Sequence, residues 1–209
     1  MKKKSLIFYE NKFYNQNIKF FSKNLKQLLS SKKLDPKKLA VLDFGCGNCS
    51  LHKYISFKKT LLYDVNPYYI DKKRVKNSKK FKDFSHLKRS KTKVNLIIVN
   101  SVIQYIPQNE LKIILRELIK KLKKGGYIII SDIPVHNRFL EIFYDLNIFF
   151  FFNVFLYLFR RIDYLKLNFH TYNDRKLIDL LKKRNIKFNV LKNLNLFKSR
   201  YTLLISKKK

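Results

Sequence analysis

The chain has 209 residues, with 47 Lys+Arg against 14 Asp+Glu and a formal net charge of +33. This length suits one domain, or one domain with an appendage, and 46% hydrophobic residues exclude wholesale disorder. Two cysteines, Cys46 and Cys49, exclude a disulfide scaffold and cannot alone complete a four-ligand zinc site. The basic residues divide into 38 Lys and 9 Arg, with four Gly, four Pro and no Trp, a composition expected of AT-rich coding bias. A selected phosphate-reading face favours Arg, whose planar fork binds phosphate bidentately. The charge still predicts salt-dependent attraction to polyanions such as RNA, anionic lipid or a phosphorylated substrate.

Residues 1–38 hold 11 Lys against Glu10 and Asp35. The apolar run after Lys4 stops at Glu10, too short for a signal peptide, so a cytoplasmic location is expected. Within 17–31, Ile18, Phe20, Phe21, Leu25, Leu28 and Leu29 form a helical stripe, ended by Asp35-Pro36. Residues 1–38 therefore read as an N-terminal helical cap. Leu39-Ala40-Val41-Leu42-Asp43-Phe44 reads as a buried strand, stopped by Gly45-Cys46-Gly47, and Asn48 is placed to cap a short helix through residue 56. Thr60-Leu61-Leu62-Tyr63-Asp64 is a second strand, and 67–75 suits a helix with Pro67 in its first turn. Lysines dominate 71–93, and Val94 to Val99 is another strand. Residues 109–124 form an amphipathic helix through Leu111, Ile114, Leu115, Leu118 and Leu122, with Gly125-Gly126 as its expected cap. A strand over 127–131 follows. A helix over 173–185 and strands over 187–191 and 201–206, close enough to pair antiparallel, complete the pattern. Strands alternating with helices, apolar on both faces, imply a parallel α/β sheet.

Residues 134–168 interrupt this alternation with a connection far longer than a usual α/β loop. Between 146 and 159 the run is almost wholly aliphatic and aromatic, broken by Asn147 and Asn153 and flanked by Arg160-Arg161. It is shorter than the roughly 18 residues of a spanning helix. Two readings stand: a lid helix packed on the main domain, or an interfacial helix touching membrane or a lipid-bearing substrate.

The chemistry is carried by Val41-Leu42-Asp43-Phe44-Gly45-Cys46-Gly47-Asn48. A strand, a glycine turn and a following helix build a ligand cradle at the carboxyl edge of a sheet. The dinucleotide fingerprint Gly-x-Gly-x-x-Gly is not matched, because Ser50 occupies its last position. Asp43 would also repel a pyrophosphate placed at the turn, whereas a ligand with an ammonium and a sulfonium suits it. Asp64 ends the next strand, and a carboxylate there can accept both hydroxyls of a ribose.

In these residues the chain resembles the class I S-adenosylmethionine-dependent methyltransferases, roughly over 39–132 and with a continuation towards the C-terminus. Residues Val41 to Gly47 resemble the family's Asp-x-Gly-x-Gly loop. Leu62-Tyr63-Asp64-Val65 resembles its ribose-binding acid and the apolar residue that packs on adenine. Lys82-Asp83-Phe84 falls where the family often carries an acid near the adenine amino group. Asn95 to Ile106 resembles the fourth strand and its sequel, and Gly125-Gly126 the turn into the fifth. Five motifs in the right order and spacing are specific where each alone is weak. Cys49 stands where the family commonly has a third glycine.

The resemblance implies a seven-stranded, mostly parallel Rossmann-like sheet with helices on both faces and an antiparallel C-terminal hairpin. It divides the chain into the cap, a cofactor-binding core over 39–133, a Phe-rich lid over 134–168 and a C-terminal helix and strands over 169–209. It implies S-adenosyl-L-methionine as cofactor, held by Asp43, Phe44, Gly45, Cys46, Gly47, Asp64, Val65, Asp83, Phe84 and Asn100. Phe44 and Cys46 are expected to act mainly through backbone. Gln104 and Tyr105 would border the acceptor, with Asp132 or His136 as the candidate base.

Plainer roles exist for each. Cys46 and Cys49 spell a redox-type Cys-x-x-C, though small buried thiols explain the pair better within a glycine loop. Asp43 can cap a helix, Asp64 can begin an Asx turn, and His136 and His170 can be ordinary loop residues. The lysine runs read as solvated surface. No metal site is readable. The leading expectation is an O-methyltransferase acting on a small molecule, such as a sugar or lipid-linked intermediate, phosphorylated acceptors included. Peripheral membrane contact would run through 146–159. The alternatives are methylation of rRNA or tRNA, and a non-catalytic cofactor- or partner-binding module.

Overall fold

The computed structural model describes residues 12–134, 181, 186–196 and 200–207. Seven strands form one sheet: β1 (Ala40–Phe44), β2 (Lys59–Tyr63), β3 (Ser78–Lys80), β4 (Val94–Asn100), β5 (Leu122–Pro134), β6 (Lys187–Lys192) and β7 (Arg200–Ser206), in the order β3-β2-β1-β4-β5-β7-β6. β1 to β5 pair in parallel, and β7 runs antiparallel between β5 and β6. The order reverses beside β1, so the crevice between the β1 and β4 carboxyl ends is the natural ligand position.

Each central strand is buried on both faces, and alternate residues divide between two cores. Leu42, Ile97, Val99, Ile128, Ile130, Leu203 and Ile205 face one core. There they meet Leu111, Leu115 and Leu118 of α3 (Gln108–Lys121) and Leu87 of the short α2 (Phe84–Arg89). Val41, Leu96, Ile98, Ile129 and Leu204 face the other core, under α1 (Lys12–Ser31). Ile18, Phe21, Leu25 and Leu29 of α1 are almost fully buried there, each contributing about 1.5–3 kcal/mol. Phe20, expected in that stripe, is 40% exposed. It sits beside the buried arc rather than on it.

Several local expectations are corrected. The helix expected from Asn48 is one 3₁₀ turn, Ser50–Lys53. Asn48 Oδ1 accepts from both Ser50 N and Ser50 Oγ, and left-handed Cys49 (φ 63°) leads into the turn. The helix expected over 67–75 is two 3₁₀ turns, Pro67–Tyr69 and Lys72–Arg74, because Asn66 and Asp71 each start a turn of their own. Gly125-Gly126 does not cap α3, whose last residue is Lys121 and whose cap, Leu122, is already extended. Instead the pair bulges from β5 and bonds in both directions with Lys207. A Cβ on Gly126 would lie 2.7 Å from the Asn95 carbonyl oxygen. β3 and α2 were hidden in the lysine-rich stretch. The segment 134–168 lies outside the described residues after Pro134, and so does the helix expected over 173–185, apart from buried Leu181.

Candidate active site

The site begins where β1 stops. Gly45 (φ 79°) and Gly47 (φ 50°) take left-handed backbone, and a Cβ on Gly45 would meet Val102 Cγ2 at 2.2 Å. Only glycine lets the loop pass that close to the segment after β4.

The loop's N–H groups point into the protein. Gly45 N and Cys46 N both donate to the Tyr63 carbonyl, at 2.7 and 3.1 Å. Gly47 N donates to Asp64 Oδ2 at 2.8 Å, and Cys49 N to the Cys46 carbonyl at 2.9 Å. A phosphate-binding loop needs such donors free for the anion. This loop spends them on β2 and on itself, and presents carboxylates instead. The donor set therefore suits a nucleoside with a cationic tail and disfavours a pyrophosphate.

Asp43 lies one residue inside the end of β1, and His52 Nε2 meets its Oδ2 at 2.8 Å. Asp64 follows β2 directly. Its Oδ1 accepts from Asn66 N at 2.9 Å, so the Asx turn does form, alongside the Gly47 contact. Each carboxylate oxygen has two lone pairs, so both retain capacity for a hydroxyl. Burial pushes the Asp64 carboxyl above its usual range, the Asn66 and Gly47 N–H groups pull it back, and the nearby Asp43 charge raises it further. Val65, just past Asp64, is 88% exposed and offers an uncovered apolar face at the crevice.

Phe44 is buried, stacked on Tyr63 at 4.7 Å and edge-on to Phe84 at 6.1 Å, so its side chain supports the floor of the site. Cys46 and Cys49 pack with Leu62, Ile70 and Val75 as reduced, buried thiols. A hydrogen bond to Cys49, burial, and the Asp43 and Asp64 charges hold the Cys46 thiol well above its usual range. Asp83 is exposed and caps α2 through His86 N at 2.7 Å, three residues beyond β3.

A second polar group occupies the ends of β4 and β5. Ser101 (φ 56°) and Asp132 (φ 68°) are both left-handed, and Ser101 Oγ donates to Asp132 Oδ2 at 2.7 Å. Arg200 Nη1 donates to the same oxygen at 2.8 Å. Asn195 Nδ2 donates to Asn100 Oδ1 and to Ser131 Oγ, and Ser131 Oγ is bonded to Thr202 Oγ1. Buried Gln104 Oε1, Asp132 Oδ1 and Asn195 Oδ1 have no hydrogen-bond partner. Tyr105 is exposed beside Gln104. Sequence reasoning missed His52, Asn195 and Arg200, because no local pattern couples them to Asp43, Asn100 or Asp132. His136 lies outside the described residues. Among the described residues no group of three or more His, Cys, Asp or Glu could hold a metal ion.

A family model described as "Methyltransferase domain" matches residues 11–190. The chain belongs to the methyltransferase domain family. Solved structures of methyltransferases share the fold of this methyltransferase-domain chain. The plantazolicin methyltransferase, solved in complex with SAH, superposes with a TM-score of 0.69 at 13% identity, over 99% of this chain and 90% of its own. The magnesium protoporphyrin IX methyltransferase of Synechocystis, with bound SAH, gives 0.62 at 13% identity, over 91% and 83%. A protein of Thermotoga maritima, described as a possible histamine N-methyltransferase, gives 0.55 at 16% identity, over 98% of each chain. No curated protein matches the sequence. The Rossmann-like sheet that the motifs implied is the sheet this methyltransferase domain has.

Proposed function

We propose that this methyltransferase takes its methyl group from S-adenosylmethionine and delivers it to a small-molecule acceptor, a hydroxyl of a sugar or lipid-linked intermediate. The observation that carries the donor is the inward-turned glycine loop with Asp43 and Asp64 at its two sides. S-adenosylmethionine supplies a methyl group activated by a sulfonium charge. The chain's task is then alignment and exclusion of water. Asp64 would hold the ribose hydroxyls, Val65 the adenine face, and Asp43 the cationic tail. Gly45 and Gly47 keep the loop low enough for close approach.

At the acceptor side, Gln104 and Tyr105 would border the reacting atoms. A hydroxyl acceptor needs a base within hydrogen-bond reach. Asp132 Oδ2 is committed to Ser101 and Arg200, which leaves Oδ1 to accept a proton, and His136 is the other candidate. The aromatic segment 146–159 suits a cover over an amphiphilic acceptor, or a contact with an anionic lipid surface. Among the described residues no helix is long and apolar enough to cross a membrane.

Calorimetric binding of S-adenosylmethionine and S-adenosylhomocysteine, wild type against Asp64→Ala, tests the donor. Micromolar binding lost in the variant supports it; no binding by folded wild type overturns it. Transfer of labelled methyl to sugar and lipid-linked acceptors, with RNA run in parallel, tests the acceptor. The net charge of +33 favours RNA as the second reading, and labelling of RNA alone would replace the first.

A further inference from the structure

Asp43 sits in the central strand with its side chain 6% exposed, and His52, 2% exposed, reaches it from the 3₁₀ turn after the glycine loop. We propose that His52 is a positioning residue: it fixes the Asp43 carboxylate so that one oxygen faces the ammonium of the donor, making the site selective for adenosyl ligands that carry an amino-acid tail. The proposal rests on the S-adenosylmethionine reading above.

The imidazole is itself held. Its backbone N–H donates to the Cys49 carbonyl at 3.1 Å, and Phe57 packs edge-on at 5.9 Å. Nδ1 is buried without a hydrogen-bond partner. A lone pair left there costs less than a stranded N–H, so the tautomer that fits is Nε2–H donating to Asp43 Oδ2. That donor is neutral. The pair therefore keeps the full negative charge of Asp43, as a cationic ligand group requires, where a lysine or arginine in the same place would cancel it. With Oδ2 held by His52, Oδ1 is the oxygen turned to the ligand. A buried carboxylate with no such donor would be poorly solvated and free to rotate, and would present neither oxygen reliably. His52 thus acts on the ligand only through Asp43.

The test compares S-adenosylhomocysteine with 5′-methylthioadenosine, which shares the nucleoside and lacks the amino-acid tail. Binding of both is measured by calorimetry for wild type, His52→Leu and His52→Gln. The expected result is a loss of about tenfold or more in S-adenosylhomocysteine affinity for His52→Leu, with 5′-methylthioadenosine within about twofold of wild type. His52→Gln keeps an amide donor at similar reach and recovers most of the loss. In an Asp43→Asn background, His52→Leu adds little, because the two residues act as one unit. Should His52→Leu fail to fold by circular dichroism, His52→Asn takes its place; its shorter amide withdraws the donor from Asp43, and the same split between ligands is expected. Equal weakening of both ligands without rescue by His52→Gln, or unchanged S-adenosylhomocysteine affinity, overturns the proposal. A folded wild type that binds neither ligand overturns the donor reading itself, an outcome distinct from these.

Discussion

At the β1–β2 end of the crevice the contacting residues are near in sequence: Gly47 and Asp64 are 17 apart, and Asp43 and His52 nine. At the β4–β5 end they are far apart, 95 residues for Asn100 and Asn195, 68 for Asp132 and Arg200, and 71 for Ser131 and Thr202. The first end relieves its tight turn with Gly45 and Gly47. The second puts Ser101 and Asp132 in left-handed backbone, at about 1 kcal/mol or more each, and offsets that cost with the hydrogen bond between their side chains. A site held by near neighbours forms with its own strand–turn unit. A site held by distant partners forms only once β7 has slotted beside β5, so it is available to vary with the acceptor while the donor end stays constant.

The largest effect that would break this contrast falls on the donor end. Asp64→Ala removes both the ribose contact and the latch on Gly47 N, and S-adenosylhomocysteine affinity is expected to fall roughly a hundredfold or more by calorimetry. A modest loss would mean that Asp64 chiefly shapes the turn. Gly45→Ala follows. With Val102 Cγ2 at 2.2 Å and a φ of 79°, a methyl group there is expected to cost about 2–3 kcal/mol in urea unfolding, partly recovered by Val102→Ala.

The acceptor end should answer differently. Arg200→Met leaves buried Asp132 without its cation and is expected to cost about 1–3 kcal/mol, below the range for a fully buried pair because Arg200 is partly exposed. Cofactor affinity should stay within about threefold of wild type, as few terms couple sites this far apart. Loss of cofactor binding in this variant would erase the distinction between the two ends. Cys46 and Cys49 should resist iodoacetamide at pH 8 in the folded chain and react once it is unfolded, since burial and neighbouring carboxylates keep Cys46 protonated.

The smallest effect concerns pH. Burial raises Asp64 above its ordinary 3.8, so the folded chain holds that proton more tightly than the unfolded chain. Its contribution to stability is therefore greatest at low pH and falls as pH rises from the unfolded value through the folded one. The melting temperature of wild type minus that of Asp64→Asn should shrink by a few degrees at most across that interval, while affinity for the ribose grows as the carboxylate ionises. A difference that widens with pH would reverse the sign of the Asp64 shift.

The strands β1, β2, β4 and β5, the helix α3 and the acids Asp43 and Asp64 were legible because each is carried by an unbroken local pattern. The two-sided burial of β1 and β4 writes a continuous apolar run, and a glycine turn between a strand and an acid has few other uses. β3 was not legible, since an edge strand of Ser78-Lys79-Lys80 has no apolar face to declare it. The turns over 67–75 read as a helix because their capping residues, Asn66 and Asp71, look like ordinary polar positions in one dimension.

By itself the sequence determined the sheet, the glycine loop and the acids at its two sides, because strand periodicity and turn chemistry act over fewer than about ten residues at a time. Only the tertiary structure decided that the loop's N–H groups turn inward, that His52 reaches Asp43, and that Asn195 and Arg200 brace Asn100 and Asp132. Those contacts depend on which strand lies beside which, and that order is fixed by packing two apolar cores onto opposite faces of one sheet.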